Sequence, residues 1–76
     1  MEKEIVVELY SGYKDDKYPV RFWISENKLE VLEIEDRWYS PGVIYFKVFA
    51  DDARHYILKW TVQDNLWFMQ DVLEKS

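Results

Sequence analysis

Residues 34–42, IEDRWYSPG, place an acid and a base beside two aromatic side chains, just before a Pro-Gly turn. If the alternation that begins at Leu32 and Ile34 continues, Asp36 faces the protein interior, where an unpaired carboxylate is costly. A carboxyl group held in a cleft could serve a hydrolytic enzyme or bind a small ligand. The alternative is a β-bulge, or a position for Asp36 at a barrel rim, where loop amides or an indole N–H satisfy the carboxylate.

Other residues with catalytic potential form weak patterns. Without cysteine, a nucleophilic site would need a serine or Thr61 to meet His55, which follows a loop beside Asp51 and Asp52 and suits a solvated hairpin end. One histidine and no cysteine exclude a zinc cluster, and the paired acids fit no EF-hand spacing. Two glycines form no phosphate-binding loop. We therefore predict no catalytic residue, no metal and no cofactor, and enzyme is the least supported class.

The composition limits the size of the domain that must position these residues and the classes of partner that it can bind. The 76 residues predict one small domain, 1–76, and an aromatic content of 18% supplies the buried area that disulfides cannot. A net charge of -5 opposes non-specific binding to nucleic acid or anionic membranes. No basic leader or membrane-spanning apolar run is visible, so we expect a cytoplasmic protein.

The spacing of turn residues predicts the fold class. Turn-forming residues recur every eight to twelve positions or so, and β-branched and aromatic runs lie between them, which is typical of short antiparallel strands. We predict an all-β domain: an antiparallel meander of five or six strands curled into an SH3-like or OB-like barrel. Residues 69–75 could instead form a short terminal helical turn.

The hairpin registers that place apolar residues opposite one another predict which side chains face inward. Loops at 26–28, 52–54 and 64–65 pair Phe22 with Leu32, Val48 with Leu58, and Val62 with Trp67. A Ser-Pro-Gly turn pairs Ile34 with Val48. The side chains that this arrangement directs inward are Val20, Phe22, Ile24, Leu32, Ile34, Ile44, Phe46, Val48, Leu58, Trp60, Val62, Trp67 and Met69, closed by Ile5, Val7 and Leu9.

The outward side of the same strands is unusually apolar for a solvated sheet face. Its aromatic and aliphatic members predict a surface for a protein partner or a second copy of the chain, unless the chain's own termini cover it. Exposed sheet edges would also allow strand-to-strand dimerisation. The residues predicted to form this surface are Trp23, Tyr45, Phe49 and Ile57, with Arg37 and Tyr39 at its rim.

A rival interpretation uses the cations that alternate with these aromatic residues. Arg21, Lys47 and Lys59 could follow a phosphate backbone while bases stack on neighbouring rings, as in single-strand nucleic-acid binding. Glu33 and Glu35 interrupt that surface, and the overall acidity opposes it. Nucleic-acid binding is therefore the second hypothesis.

The runs YPVRFWISENKLEVLEIEDRWY, YFKVFADDARHYILKW and LWFMQDV resemble a family of small bacterial proteins of unknown function. The shared pattern is a Pro-x-x-Phe opening, an Asp-Arg-Trp segment and a final strand with tryptophan, over about residues 18–72. The resemblance implies a cytosolic β domain. It implies no catalytic role for Asp36, Arg37 or Trp38.

Overall fold

The computed structural model describes residues 2–11 and 17–73, and all of its regular structure is β-strand. Six strands follow one another with short connections, in agreement with the predicted all-β class. Residues 69–73, for which a helical turn was one expectation, belong to the last strand instead, and residues 74 and 75 lie outside the described part of the chain. The strands are β1 (Lys3–Ser11), β2 (Lys17–Ile24), β3 (Asn27–Ser40), β4 (Val43–Ala50), β5 (His55–Thr61) and β6 (Leu66–Leu73).

The strands close into an antiparallel barrel in which each strand pairs with its neighbours in the sequence. Closure depends on β1, whose first residues pair with β6 and whose later residues pair with β2. Val7 lies opposite Phe22, and Ile5 lies opposite Trp67. The prediction of a small SH3-like or OB-like barrel is confirmed, with six strands.

Large apolar side chains from alternate positions fill the barrel. Phe46, Val48 and Leu58 are at most 1% exposed, because β4 and β5 keep an uninterrupted alternation of buried and half-buried residues. Burying side chains of this size contributes about 1.5–3 kcal/mol each. Residues of the core cluster are Ile5, Phe22, Phe46, Val48, Ala50, Tyr56, Leu58, Trp60 and Trp67.

Strand β3 departs from simple alternation. Its register against β4 shifts between Val31 and Glu33 and again between Ile34 and Asp36. A bulge inserts an extra residue into one strand, so the side chains beyond it change faces. The bulge expected near Asp36 is confirmed. The inward positions predicted for Leu32, Asp36 and Trp38 are wrong, since all three are exposed.

The observed hairpin registers also differ from the predicted ones, because each turn begins or ends at a different residue from the one predicted. Phe22 pairs with Leu29 rather than with Leu32, and Trp67 pairs with Trp60 rather than with Val62. Val48 pairs with Tyr56 rather than with Leu58, so the predicted β4–β5 register is also wrong. Val62 lies in the β5–β6 turn and is 41% exposed, so its predicted place in the core is wrong. The predicted pair of Ile34 with Val48 is confirmed.

One stretch of the barrel wall is open. Pairing between β2 and β3 ends at Arg21 and Glu30, and the Glu30 carbonyl then accepts a hydrogen bond from the Asp51 backbone N–H at 3.0 Å. Beyond this point the two strands diverge around a groove of about 250 Å³. We call this groove the β2–β3 seam; its lining residues are Tyr18, Pro19, Val20, Val31, Leu32, Glu33 and Ile34.

Candidate interaction surface

The outer side of the second half of β3, together with β4, β5 and β6, forms a continuous wall that we call the β3–β6 face. Its side chains are arranged in rows because paired residues of an antiparallel sheet point to the same side. One row crosses the whole wall and continues to Glu4 on β1. From β3 to β6 it consists of Trp38, Tyr45, Lys59 and Phe68.

The row is built from ring contacts. The rings of Trp38 and Tyr45 are stacked, with centroids 5.4 Å apart and planes inclined by 9°. The ammonium nitrogen of Lys59 lies 5.8 Å from the centroid of the Phe68 ring, within range of a cation–π interaction. Trp38 is still 38% exposed, so part of its indole surface remains available to another molecule.

Two further rows follow the first, one after the other, on the same side of it. In the second row Lys47 and Ile57 lie between Asp36 and Asp71. The third row contains Phe49 and His55, whose ring centroids are 4.8 Å apart. His55 Nδ1 lies 2.6 Å from a carboxylate oxygen of Glu35, which fixes the imidazole against the wall.

A groove of about 740 Å³ runs across the β3–β6 face beside the stacked rings. Trp38, Tyr45 and Ile57 provide its apolar part, and Gln70 and Asp71 provide polar groups. Glu2 and Ser40 complete the lining. The groove therefore combines aromatic surface with hydrogen-bonding groups, a combination found at protein interfaces.

The charges on this face are predominantly negative. The Lys59 ammonium contacts a Glu2 carboxylate oxygen at 2.9 Å, and this hydrogen bond raises the pKa of Lys59. Lys47 lies opposite Asp36. The acids on or beside the face are Glu2, Glu4, Glu33, Glu35, Asp36 and Asp71, against the two lysines.

The structure brings together three of the predicted surface residues. Tyr45, Phe49 and Ile57 lie on adjacent strands of the β3–β6 face and are half-buried. Trp23 is also directed outward, but its neighbours are Val6 and Lys28 on the β1–β2–β3 side of the barrel. The structure therefore divides the single predicted surface into two.

The two predicted rim residues have different environments. The Arg37 guanidinium carbon lies 4.9 Å from the centroid of the Phe46 ring, at an inward-facing position created by the second bulge. The expected outward position of Arg37 is therefore wrong. Tyr39 pairs with Ile44 next to the β3–β4 turn and is 65% exposed.

Arg21, the remaining cation of the nucleic-acid hypothesis, forms ion pairs with Glu8 and Glu30. The hydrogen bond to Glu8, followed by the one to Glu30, raises the pKa of Arg21 above its ordinary value. Arg21 lies opposite Glu30 because β2 meets β3 at residues 27–30. These carboxylates compete with any phosphate for the guanidinium.

Asp36 lies on the outside of the barrel. Its Oδ1 accepts a hydrogen bond from the backbone N–H of Arg37 at 2.8 Å, which explains the acid at the bulge. Within residues 2–11 and 17–73, no group of three or more His, Asp or Glu side chains could hold a metal ion. This hydrogen bond gives Asp36 a local structural explanation.

Sequence reasoning missed Trp38, the largest ring of the row. The alternation from Leu32 and Ile34 directs it inward, and the second bulge, between Ile34 and Asp36, reverses that direction. The adjacent apolar residues Val31 and Leu32 indicate a break in the alternation, since a regular half-buried strand does not place two such residues in succession.

Comparisons with known proteins find no matching family model, no similar curated protein and no similar solved structure. In the part of the chain that the structure describes, no helix is long and apolar enough to cross a membrane.

Proposed function

We propose that this protein is a non-enzymatic protein-interaction module that contacts its partner through the β3–β6 face. The row of Trp38, Tyr45, Lys59 and Phe68 carries the proposal. Its rings are aligned by the sheet before any partner arrives, so binding orders few side chains and loses little conformational entropy. Tryptophan and tyrosine held in this way are the residue types that dominate binding energy at interfaces.

The partner that suits this face carries basic side chains. Six carboxylates lie on or beside the β3–β6 face, and complementary charge speeds encounter and rejects acidic competitors. A second copy of the chain would bring a net charge of -5 towards an acidic face, which favours a different protein over a homodimer. The chain has no cysteine, which suits the reducing cytoplasm in which we place it.

Single-stranded nucleic acid is the second candidate, and one observation favours it. The stacked Trp38 and Tyr45 rings adjoin Lys59, as in platforms that stack bases and neutralise phosphates. The ion pair of Lys59 with Glu2 and the position of Lys47 opposite Asp36 reduce the positive charge available to phosphates. We therefore place nucleic acid below a basic protein partner.

The test compares two tryptophan variants on opposite sides of the barrel. Wild-type protein, Trp38→Ala and Trp23→Ala are immobilised in equal amounts, and proteins retained from a bacterial lysate are quantified by mass spectrometry. We expect a basic protein that Trp38→Ala loses and Trp23→Ala retains. Truncating a central ring costs about 2 kcal/mol or more in binding, so the retained amount should fall severalfold or more.

Sedimentation equilibrium of the same three proteins tests self-association. A dimer that Trp38→Ala dissociates would show that the partner is a second copy of the chain rather than a basic protein. Salt-sensitive retention of a labelled single-stranded oligonucleotide that depends on Trp38 would establish the second candidate instead. If Trp38→Ala keeps its fold and changes none of the three measurements, the β3–β6 face is not the binding surface.

A further inference from the structure

The end of the barrel that contains the β2–β3 turn and the β4–β5 loop is a second candidate site, separate from the β3–β6 face. Its mouth encloses about 670 Å³, within the range of small-molecule pockets, which occur in the mouths of β-barrels. The apolar part of the lining comes from Ile24, Leu29, Met69 and Val72, all packed against the core. A ligand entering here would meet an aliphatic surface continuous with the interior.

The Asp52 carboxylate at the polar rim of this mouth has both of its oxygens engaged. Asp52 Oδ1 accepts a hydrogen bond from the Arg54 backbone N–H at 3.1 Å, and Asp52 Oδ2 accepts one from the Tyr56 hydroxyl. Burial, followed by this hydrogen bond, raises the pKa of Tyr56 to about 12, so the hydroxyl remains a donor at neutral pH. The Asp52 carboxylate is therefore committed within the protein.

Lys28 provides a cationic donor among the remaining rim groups. Its ammonium forms an ion pair with Glu30 at 3.9 Å, which is beyond hydrogen-bonding distance, so its N–H groups can still donate hydrogen bonds to a ligand. Asn27 adds an amide to the same rim, and the Arg54 guanidinium, also in the lining, interacts with Tyr56. Glu26, in the exposed β2–β3 turn, is the one other acid in the lining and weakens the preference for an anion.

We propose that this mouth binds a small aliphatic carboxylate, with its chain against Leu29, Met69 and Val72 and its head group at Lys28. The chain leaves water for an apolar surface, which contributes about 0.8 kcal/mol for each buried CH₂ group. The carboxylate accepts a charge-assisted hydrogen bond from the ammonium. This site is independent of the proposed partner surface, since the two share no lining residue.

The experiment uses the methionine methyl group as a reporter. The chain has two methionines, Met1 and Met69, so [¹³C-methyl]methionine labelling gives two signals that Met69→Leu distinguishes. The full chain is titrated with sodium decanoate, with sodium acetate as the head group alone, and with decyltrimethylammonium as the chain with the opposite charge. We expect a saturable shift of the Met69 signal with decanoate and none with acetate.

Two variants test the assigned contacts, and a third is the matched control. Lys28→Gln should weaken decanoate binding about tenfold, the loss expected for one charge-assisted hydrogen bond. Val72→Trp should block the mouth and abolish the shift, whereas Lys47→Gln on the β3–β6 face should leave binding unchanged. The absence of a saturable shift with decanoate would overturn the site. Equal binding of decyltrimethylammonium, or no effect of Lys28→Gln, would overturn the carboxylate assignment.

Discussion

The indole nitrogen of Trp60 donates a hydrogen bond to the side-chain oxygen of Asn65, 3.1 Å away, and so joins the end of β5 to the turn that follows it. The Trp60 ring is also stacked on Trp67, with centroids 5.2 Å apart and an interplanar angle of 5°. Asn65 itself has a φ of 53°, in the left-handed region that asparagine tolerates. One residue therefore satisfies a buried donor and provides the turn's backbone conformation.

Substitutions at Asn65 should separate these two roles. Asn65→Gly removes the hydrogen bond and permits the positive φ, so we expect a loss of about 1 kcal/mol in the free energy of unfolding. Asn65→Ala also introduces left-handed strain and should lose about 1–2 kcal/mol more. Urea denaturation followed by tryptophan fluorescence measures both. Equal stabilities of the two variants would show that the backbone conformation contributes nothing.

Two leucines test which side chains the barrel buries. Leu58 is fully buried between β4 and β6, and Leu32 is 60% exposed beside the first bulge. Leu58→Ala should lower the free energy of unfolding by about 2–5 kcal/mol, through lost burial and the cavity left behind. Leu32→Ala should change it by at most about 0.5 kcal/mol. Similar losses in chemical denaturation would contradict the placement of the bulge.

Two turn residues with positive φ predict stability changes of opposite sign. Ala53 has a φ of 65°, which strains an alanine. Ala53→Gly relieves this strain and makes the unfolded chain more flexible, and the net effect should be a stabilisation of about 0.5 kcal/mol. Gly42 has a φ of 75°, and a methyl group added there would meet open space, so Gly42→Ala should destabilise the protein through strain alone. Thermal denaturation by circular dichroism checks both signs.

Tyr56 makes stability depend on alkaline pH. Its pKa is raised from 10.0 to about 12, which means that folding favours the protonated hydroxyl. That contribution is fully present below pH 10 and disappears as the pH rises through 12, with a loss of about 2 kcal/mol. The difference in unfolding free energy between wild type and Tyr56→Phe should shrink over this interval. A constant difference would show that Tyr56 ionises equally in both states.

The sequence predicts which side chains of β4 and β5 face inward, because no bulge interrupts the pairing of these two strands. Phe46 and Leu58 face inward, and Tyr45 and Ile57 face outward, as predicted. Strand β3 fails because the run from Val31 to Ile34 has apolar residues in both phases, so alternation alone cannot locate a bulge. The bulges depend on how one strand bends to pair with both β2 and β4.

The candidate surface was predicted only in part, for a reason of topology. Sequence alternation indicates that Trp23 and Tyr45 both face outward, but it does not give the angle between them around a closed barrel. Closure through β1 and β6 places β2 on a different side from β4 and β5. The stacked Trp38 joins the surface because the second bulge lies between it and the inward-facing Ile34, which no local pattern specifies.

The β2–β3 seam should determine which part of the barrel opens first. Tyr18, near the start of β2, pairs with β1 alone, whereas the central residues of β4 have hydrogen-bonded neighbours on both sides. Backbone amides at the start of β2 should therefore exchange with deuterium sooner than those of Phe46 and Val48, since small openings release them without unfolding the core. The barrel would then open transiently along one side while the opposite wall keeps its backbone hydrogen bonds.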